Sequence, residues 1–367
     1  MKILFLFFIS LVFNFVCAGQ PVKPIVEEDG TIQVPAFRLP ESSLLDEESI
    51  AARKFYRDKI SPEYRSRDRE CGAVSDAKLS DITSIRNCRA DHFYASSMYK
   101  NMMKRYEVRV RKREVNGVLV EEFTPSAGIS KNNKDRVLIN VHGGGFLVGA
   151  RSTGHLESIP IASIGGYRII SIDYRMAPEY QFPSASKDVA SVYRELLKKY
   201  QPENIGIFGC SAGGLLTAQA VSWFKSINLP VPGAVGMFCA AAYFWTEGDS
   251  GYIDSAQSGH PFISSIDNAY LASADPQDPL AFPGKSDEVM AAFPSSLLIG
   301  STRDMAMSSI VKTHSQLVRL GVDAELYLWE GLRHGFFLNS EIPESREAYN
   351  IIVDFFNRKL TPSVASK

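Results

Sequence analysis

Charge of neither sign prevails in this sequence. Forty Lys and Arg face 41 Asp and Glu, for a formal net charge of −1. That balance excludes the basic footprint of a nucleic-acid binder and an acidic tail. Beyond residue 18 no apolar run is long enough to span a membrane. Internal repeats and low-complexity blocks are absent, so the chain is not read as a solenoid or an array. Cysteine is scarce, at five in 367 residues, and the core must therefore come from apolar packing rather than a disulfide framework. With 45% hydrophobic and 22% charged residues, the chain suffices for one large core plus a smaller covering element.

The first 18 residues differ from the rest. Met1-Lys2 precedes an almost unbroken apolar run from Ile3 to Val16, followed by Cys17-Ala18-Gly19. A short basic start, an apolar centre, and Val16 and Ala18 at −3 and −1 predict a secretory signal peptide cleaved after Ala18. The run falls short of the ~20 residues a span needs, so removal is expected over retention as an anchor. Asn14-Phe15-Val16 matches a lipobox poorly, which argues against acylation of Cys17. The expected location is therefore outside the cytoplasm, periplasmic or secreted. Four cysteines would remain. Cys71 and Cys88 lie in a polar, loop-rich stretch and are expected to pair, stabilising the chain by about 3 kcal/mol. Cys210 and Cys239 lie in apolar surroundings and read as small buried hydrophobes.

Along the chain, residues 19 to about 45 read as an extended arm. Helical patterns follow over 44–60 and, as one or two short helices, over 76–103. These precede any sheet and should cover the core. Alternation predicts a strand over 106–114, Asn116-Gly117 a two-residue hairpin turn, and 118–123 the return strand. Nearly continuous apolar runs at 136–141, 168–174, 204–208, 234–240 and 296–300, with another strand at 324–329, predict buried parallel strands. Helices are expected between them at 185–200, 212–224 and 308–320, with a last one at 344–359. The class is α/β, with helices on both faces of a mostly parallel sheet. The regular alternation lapses between 241 and about 293, a stretch too long for a simple connection. The expected organisation is a signal peptide (1–18), an arm and covering helices (19–104), a first core part (105–240), a covering insertion (241–293) and a second core part (294–362).

Gly209-Cys210-Ser211-Ala212-Gly213 falls where a strand turns into a helix. That turn would lift Ser211 Oγ clear of the sheet, with glycines where a Cβ would crowd it. The pattern is common by chance, so its context matters. A nucleophilic serine needs a base, and the base an orienting acid. Of the six histidines, His92, His142, His155, His260, His314 and His334, only His334 follows a late strand on a loop that can lean over the carboxyl end of the sheet. Asp304, in the loop leaving the 296–300 strand, is the expected acid. Asp249, Asp254, Asp267, Asp275, Asp278 and Asp287 lie in the irregular insertion. Asp323 should sit at the far end of the sheet, and Glu330 would have to fold back on the base's own loop. Upstream, His142-Gly143-Gly144-Gly145 ends a buried strand, and backbone N–H groups can converge there on an oxyanion.

Together, His142-Gly143-Gly144-Gly145, Asp173-Tyr174-Arg175-Met176-Ala177-Pro178-Glu179, Gly209 to Gly214, Arg303-Asp304 and His334-Gly335-Phe336 resemble the hormone-sensitive-lipase-like branch of the α/β-hydrolases, over roughly residues 105–360. The resemblance implies an eight-stranded, mostly parallel sheet with a helical cap from the N-terminal segment and the 241–293 insertion. It implies hydrolysis of carboxylic esters with no cofactor and no metal. It assigns Gly144, Gly145 and Ala212 as oxyanion donors. His142, Gly143, Asp173 and Glu179 become structural supports of the glycine loop and nearby backbone. Many members carry Asp or Thr where this chain has Cys210. A small-molecule ester is the expected partner, short-chain or aryl, and the protein is expected as a monomer or homodimer. Two alternatives share these residues: a non-catalytic small-molecule binder on the same fold, and a serine peptidase or amidase.

Overall fold

The computed structural model describes residues 23–361, apart from Tyr56, 59–61, 63–65, 67–68, 75–76 and His260. The predicted signal peptide therefore lies outside the described residues. The chain divides into two compact units at Glu41/Ser42. In the first, two exposed strands, β1 (Ile25–Val26) and β2 (Ile32–Gln33), pair antiparallel within the predicted arm.

Among the described residues, the helices near the start of the second unit include α1 (Glu47–Phe55), α2 (Ile82–Ala95) and α3 (Ser97–Arg105). A disulfide joins Cys71 to Cys88 on α2, with the Cα atoms 5.7 Å apart. The hairpin β3 (Val108–Val115) and β4 (Val118–Pro125) follows. Its turn residues Asn116 and Gly117 both have positive φ, 48° and 80°, as a two-residue turn between right-twisted strands requires. The parallel strands are β5 (Val137–Val141), β6 (Ile169–Ile172), β7 (Ile205–Cys210), β8 (Ala234–Phe238), β9 (Ser295–Arg303) and β10 (Ala324–Arg333). Among the described residues they form one eight-stranded sheet, ordered β10-β9-β8-β7-β5-β6-β4-β3. β4 runs antiparallel to both its neighbours, and the other pairs are parallel.

The helices between strands are α4 (Thr153–Gly165), α5 (Ser184–Leu197), α6 (Ala212–Ser226), α7 (Asp249–Ser258), the single-turn α8 (Asp287–Met290), α9 (Met307–Arg319) and α10 (Pro343–Lys359). Period-2 alternation sorts the strand residues into two cores. Ile139, Ile207, Val235 and Leu298 pack with α5, α6 and α9 on one face. Leu138, Phe208, Leu297 and Ile299 pack with α4 and α10 on the other. Every residue of β5, β6, β7 and β8 is buried, which explains why the sequence shows continuous apolar runs rather than alternation with polar residues.

Several boundaries differ from the sequence expectation, among them the ends of β6 at Ile172 and of β9 at Arg303. β8 stops at Phe238, two residues early, because Cys239 turns the chain with φ 52°. β10 runs on to Arg333, with a register shift between Trp329 and Arg333, so His334 leaves the strand directly. The 241–293 segment is not a free loop. Tyr270 stacks on Phe146, with centroids 4.4 Å apart, and its hydroxyl accepts the Ala185 N–H at 2.8 Å. Ser250 at the start of α7 and Ser308 at the start of α9 exchange backbone-to-hydroxyl hydrogen bonds, 3.1 and 2.9 Å. Ser250 Oγ also donates to Met305 O at 2.7 Å.

Candidate active site

The predicted triad and oxyanion residues come from four strand ends, those of β5, β7, β9 and β10, at the carboxyl edge of the parallel sheet. Ser211 sits between β7 and α6 with φ 59° and ψ −124°, a conformation that costs a non-glycine residue energy. The turn is feasible because the residues two positions to either side, Gly209 and Gly213, lack side chains. A Cβ on Gly209 would lie 2.0 Å from Val141 O, and one on Gly213 1.9 Å from the same oxygen. The elbow thus presses directly on the end of β5.

His334 Nε2 lies 2.8 Å from Ser211 Oγ, and His334 Nδ1 lies 2.8 Å from Asp304 Oδ1. A carboxylate only accepts, so Nδ1 carries the proton and Nε2 faces the hydroxyl as an acceptor. Asp304 is 1% exposed and is held by the Ala306 N–H at 2.8 Å. Burial disfavours the His334 cation. The Asp304 carboxylate, through charge and hydrogen bond, and the Asp254 charge on α7 outweigh this and hold the imidazole above its ordinary value. Four of the competitors are engaged elsewhere. Glu330 accepts from Ser42 Oγ at 3.0 Å. Asp323 binds Lys359 Nζ at 2.6 Å at the opposite end of the sheet. Asp287 pairs with Arg319, and Asp267 caps its own turn through Ser264.

The glycine loop arches over the elbow. A Cβ on Gly143 would meet Cys210 O at 2.7 Å and Ser211 Cβ at 3.3 Å. Gly144 and Gly145 have φ of 121° and 64°. The loop's carbonyls are turned into the protein. Gly143 O accepts from His142 Nδ1 at 2.8 Å, Gly144 O from the Leu147 and Val148 N–H groups at 3.0 and 3.1 Å, and Gly145 O from Asn268 Nδ2 at 3.4 Å. No acceptor takes the N–H groups of Gly144, Gly145 or Ala212 among the described residues. Those donors remain available to an anion.

A family model described as alpha/beta hydrolase fold matches residues 138–338, more than half of the chain. This chain belongs to the α/β-hydrolase family. Its hydrolase relatives include an acetyl-hydrolase of Streptomyces hygroscopicus, 26% identical over 222 residues, spanning 59% of this chain and 73% of that one. Ethyl acetate hydrolase of Pseudomonas putida is 25% identical over 237 residues, spanning 61% and 73%. Among solved structures, esterase E25 superposes with a TM-score of 0.75 at 26% identity, over 90% of this chain and 99% of that one. An esterase of the bacterial hormone-sensitive lipase family, the branch the motifs resemble, shares the fold with a TM-score of 0.66 at 24% identity, over 82% and 99%.

The supports of this hydrolase site are partly those expected. His142 is buried and stacks on Tyr174 with centroids 4.3 Å apart. Burial lowers its pKa to about 4, so the ring is neutral, and Nδ1 carries the proton that the Gly143 carbonyl takes. Tyr174 donates to His142 O at 2.6 Å. Glu179 acts through Arg86 of α2. It accepts two hydrogen bonds from that guanidinium at 2.7 and 2.9 Å, while Arg86 also donates to Leu147 O at 2.9 Å and Ala177 O at 2.7 Å. Asp173 lies 3.9 Å from Arg151 Nε and makes no direct hydrogen bond to the glycine run among the described residues. Its support of the loop is therefore indirect.

Sequence reasoning missed three supports. Arg86 had no marker. Cys239 Sγ accepts the Gly335 N–H at 3.3 Å, directly behind the base. Glu157 was legible in retrospect, as the one acidic residue in the otherwise apolar or small-residue run of α4. Cys210 and Cys239 are buried free thiols, as expected. Among the described residues, two groups of ligand-type atoms lie close enough to hold an ion: Cys239, Asp304 and His334, and Cys71, Cys88 and His92. In the first, both His334 nitrogens are already engaged. In the second, both sulfurs are in the disulfide.

Proposed function

We propose that this chain is a serine carboxylesterase that hydrolyses short-chain acyl or aryl esters through an acyl-enzyme. The observation that carries the reading is the continuous hydrogen-bonded line from Ser211 through His334 to buried Asp304, set beneath N–H groups with no acceptor among the described residues. In the proposed reaction Ser211 Oγ attacks the ester carbonyl as His334 Nε2 takes its proton. Asp304 keeps the Nδ1 proton in place and stabilises the imidazolium. The Gly144, Gly145 and Ala212 N–H groups bind the oxyanion. His334 then protonates the leaving alcohol, and water repeats the sequence to release the acid. The hydrolase and esterase names of the relatives support this reading. The short-chain preference rests on the aromatic cover, in which Phe146, Phe244, Trp245 and Tyr270 are buried next to the glycine loop. On this reading the N-terminal helices and the 241–293 insertion form the cap.

The test is Ser211→Ala on p-nitrophenyl acetate and butyrate, where turnover should fall by about 10⁵-fold or more. Residual activity within about tenfold of wild type would sink the assignment, since a triad nucleophile accounts for far more. Failure of a fluorophosphonate to label Ser211 would favour a non-catalytic binder, and faster cleavage of aminoacyl anilides than of esters a peptidase. The chain is further proposed to be exported. The leader pattern at 1–18 and the Cys71–Cys88 disulfide support this, and a mature N-terminus at Gly19 by mass spectrometry would test it.

A further inference from the structure

A carboxylate lies beneath the glycine loop and takes no part in the proton relay. Glu157 of α4 is 1% exposed. No cation pairs with it among the described residues, and burial raises its pKa to about 8 although three hydrogen-bond donors pull the other way. Its stabilisation comes from three donors. Oε1 accepts the Gly143 N–H at 2.8 Å. Oε2 accepts Asn140 Nδ2 at 2.7 Å and the Cys210 N–H at 3.3 Å. Asn140 is fixed in turn, since Ser171 Oγ donates to its Oδ1 at 2.7 Å. The three residues belong to α4, β5 and β6, so the carboxylate is anchored on both sides of the loop it holds.

The two backbone donors occupy telling positions. Gly143 immediately precedes Gly144, and Cys210 immediately precedes Ser211. One carboxylate therefore bridges the chain segment that offers the oxyanion N–H groups and the segment that presents the nucleophile. We propose that Glu157 is a positioning residue for ester hydrolysis, fixing the span between the glycine loop and the Ser211 elbow so that both converge on one tetrahedral carbon. The proposal rests on the esterase reading. It gives the buried carboxyl group a role that a residue merely filling the core would not need. An apolar side chain of similar size would fill the same space but leave the Gly143 and Cys210 N–H groups without an acceptor. Glu157 touches no reacting atom, so its effect is geometric.

The experiment compares the full-length wild type, Glu157→Gln and Glu157→Ala on p-nitrophenyl butyrate, with phenylboronic acid as a tetrahedral mimic. Glu157→Gln keeps the shape and one acceptor oxygen but turns an amide N–H₂ toward the remaining donors. A displaced oxyanion site should lower kcat about 10- to 100-fold with KM held within about threefold. Inhibition by the boronate should weaken by a similar factor. Glu157→Ala should lose more than Glu157→Gln. Unchanged kcat and boronate inhibition in a folded Glu157→Gln protein would overturn the proposal, as would loss of fold in both variants, which would mark the residue as structural support alone. Wild-type turnover and its loss in Ser211→Ala stand apart from these outcomes, so failure of the esterase reading is distinguishable from failure of this one.

Discussion

The glycine loop and the His334 loop meet over the same serine, yet they are built in opposite ways. The glycine loop is defined by what it omits. Backbone approaches backbone where no Cβ fits, and its carbonyls are fixed by His142, Asn268 and the chain's own N–H groups. Its anchors come from other elements, among them buried Glu157 on α4 and part-buried Arg86 on α2. The His334 loop is defined by one side chain that is 26% exposed, with Asp304 on one nitrogen and a thiol behind its backbone. The first half depends on shape and the second on proton position. Damage to the two should differ in kind: one half should fail in holding charge, the other in moving a proton.

Substitutions that change one half at a time can sharpen that contrast. The largest effect belongs to the proton half. Asp304→Asn leaves a group of the same size but no longer fixes the proton on Nδ1, so His334 cannot accept from Ser211. We expect kcat to fall about 10⁴-fold with little change in stability, checked by steady-state kinetics beside thermal melting. Next comes the shape half. Gly144→Ala places a Cβ 2.1 Å from Val148 O at φ 121°, so the loop must move and its donors with it. The expected loss in kcat is about 100- to 1,000-fold, and phenylboronate affinity should fall in parallel, which it should not do in Asp304→Asn.

The smallest effect is on pH. His334 must be neutral to act as base, and its pKa lies above the ordinary 6.5 because Asp304 and Asp254 outweigh its burial. Activity should therefore fall as pH drops through that raised value. Cys210→Asp adds a carboxylate beside Cys239, whose sulfur lies within 4.8 Å of ligand atoms of Asp304 and His334. A further negative charge favours the imidazolium, so the acid limb of the kcat/KM profile should move to higher pH. An unmoved limb would show that the inserted carboxyl is neutral or turned away.

The sequence made the glycine loop, the elbow and the order serine, aspartate, histidine readable because each depends on local chain geometry. Strand ends bracket them, and apolar runs mark strands buried on both faces. Asp304 could be chosen over Asp323 because the end of a strand at which a residue falls is visible in one dimension. The supports are less legible for a physical reason. Arg86 reaches Glu179 across 93 positions, and Cys239 reaches Gly335 across 96. No local pattern encodes such a meeting. Asp173 shows the converse, since it stands in a recognisable motif but bears on the loop only through a distant Arg151 contact. The continuation of β10 to Arg333 was hidden by Gly331, whose φ of 71° breaks the pattern the eye follows while the chain rejoins the sheet beyond it.

The exchange of hydrogen bonds between Ser250 and Ser308 has a mechanical meaning. It couples the first turn of α7, in the 241–293 insertion, to the first turn of α9, which begins just after Asp304, and Met305 is stitched to the same hydroxyl. The insertion is not a door hung on a neutral frame, because its hinge post carries the acid. Grafting a different insertion to redraw substrate choice would also re-aim the proton relay, so selectivity and turnover in this enzyme are inherited together.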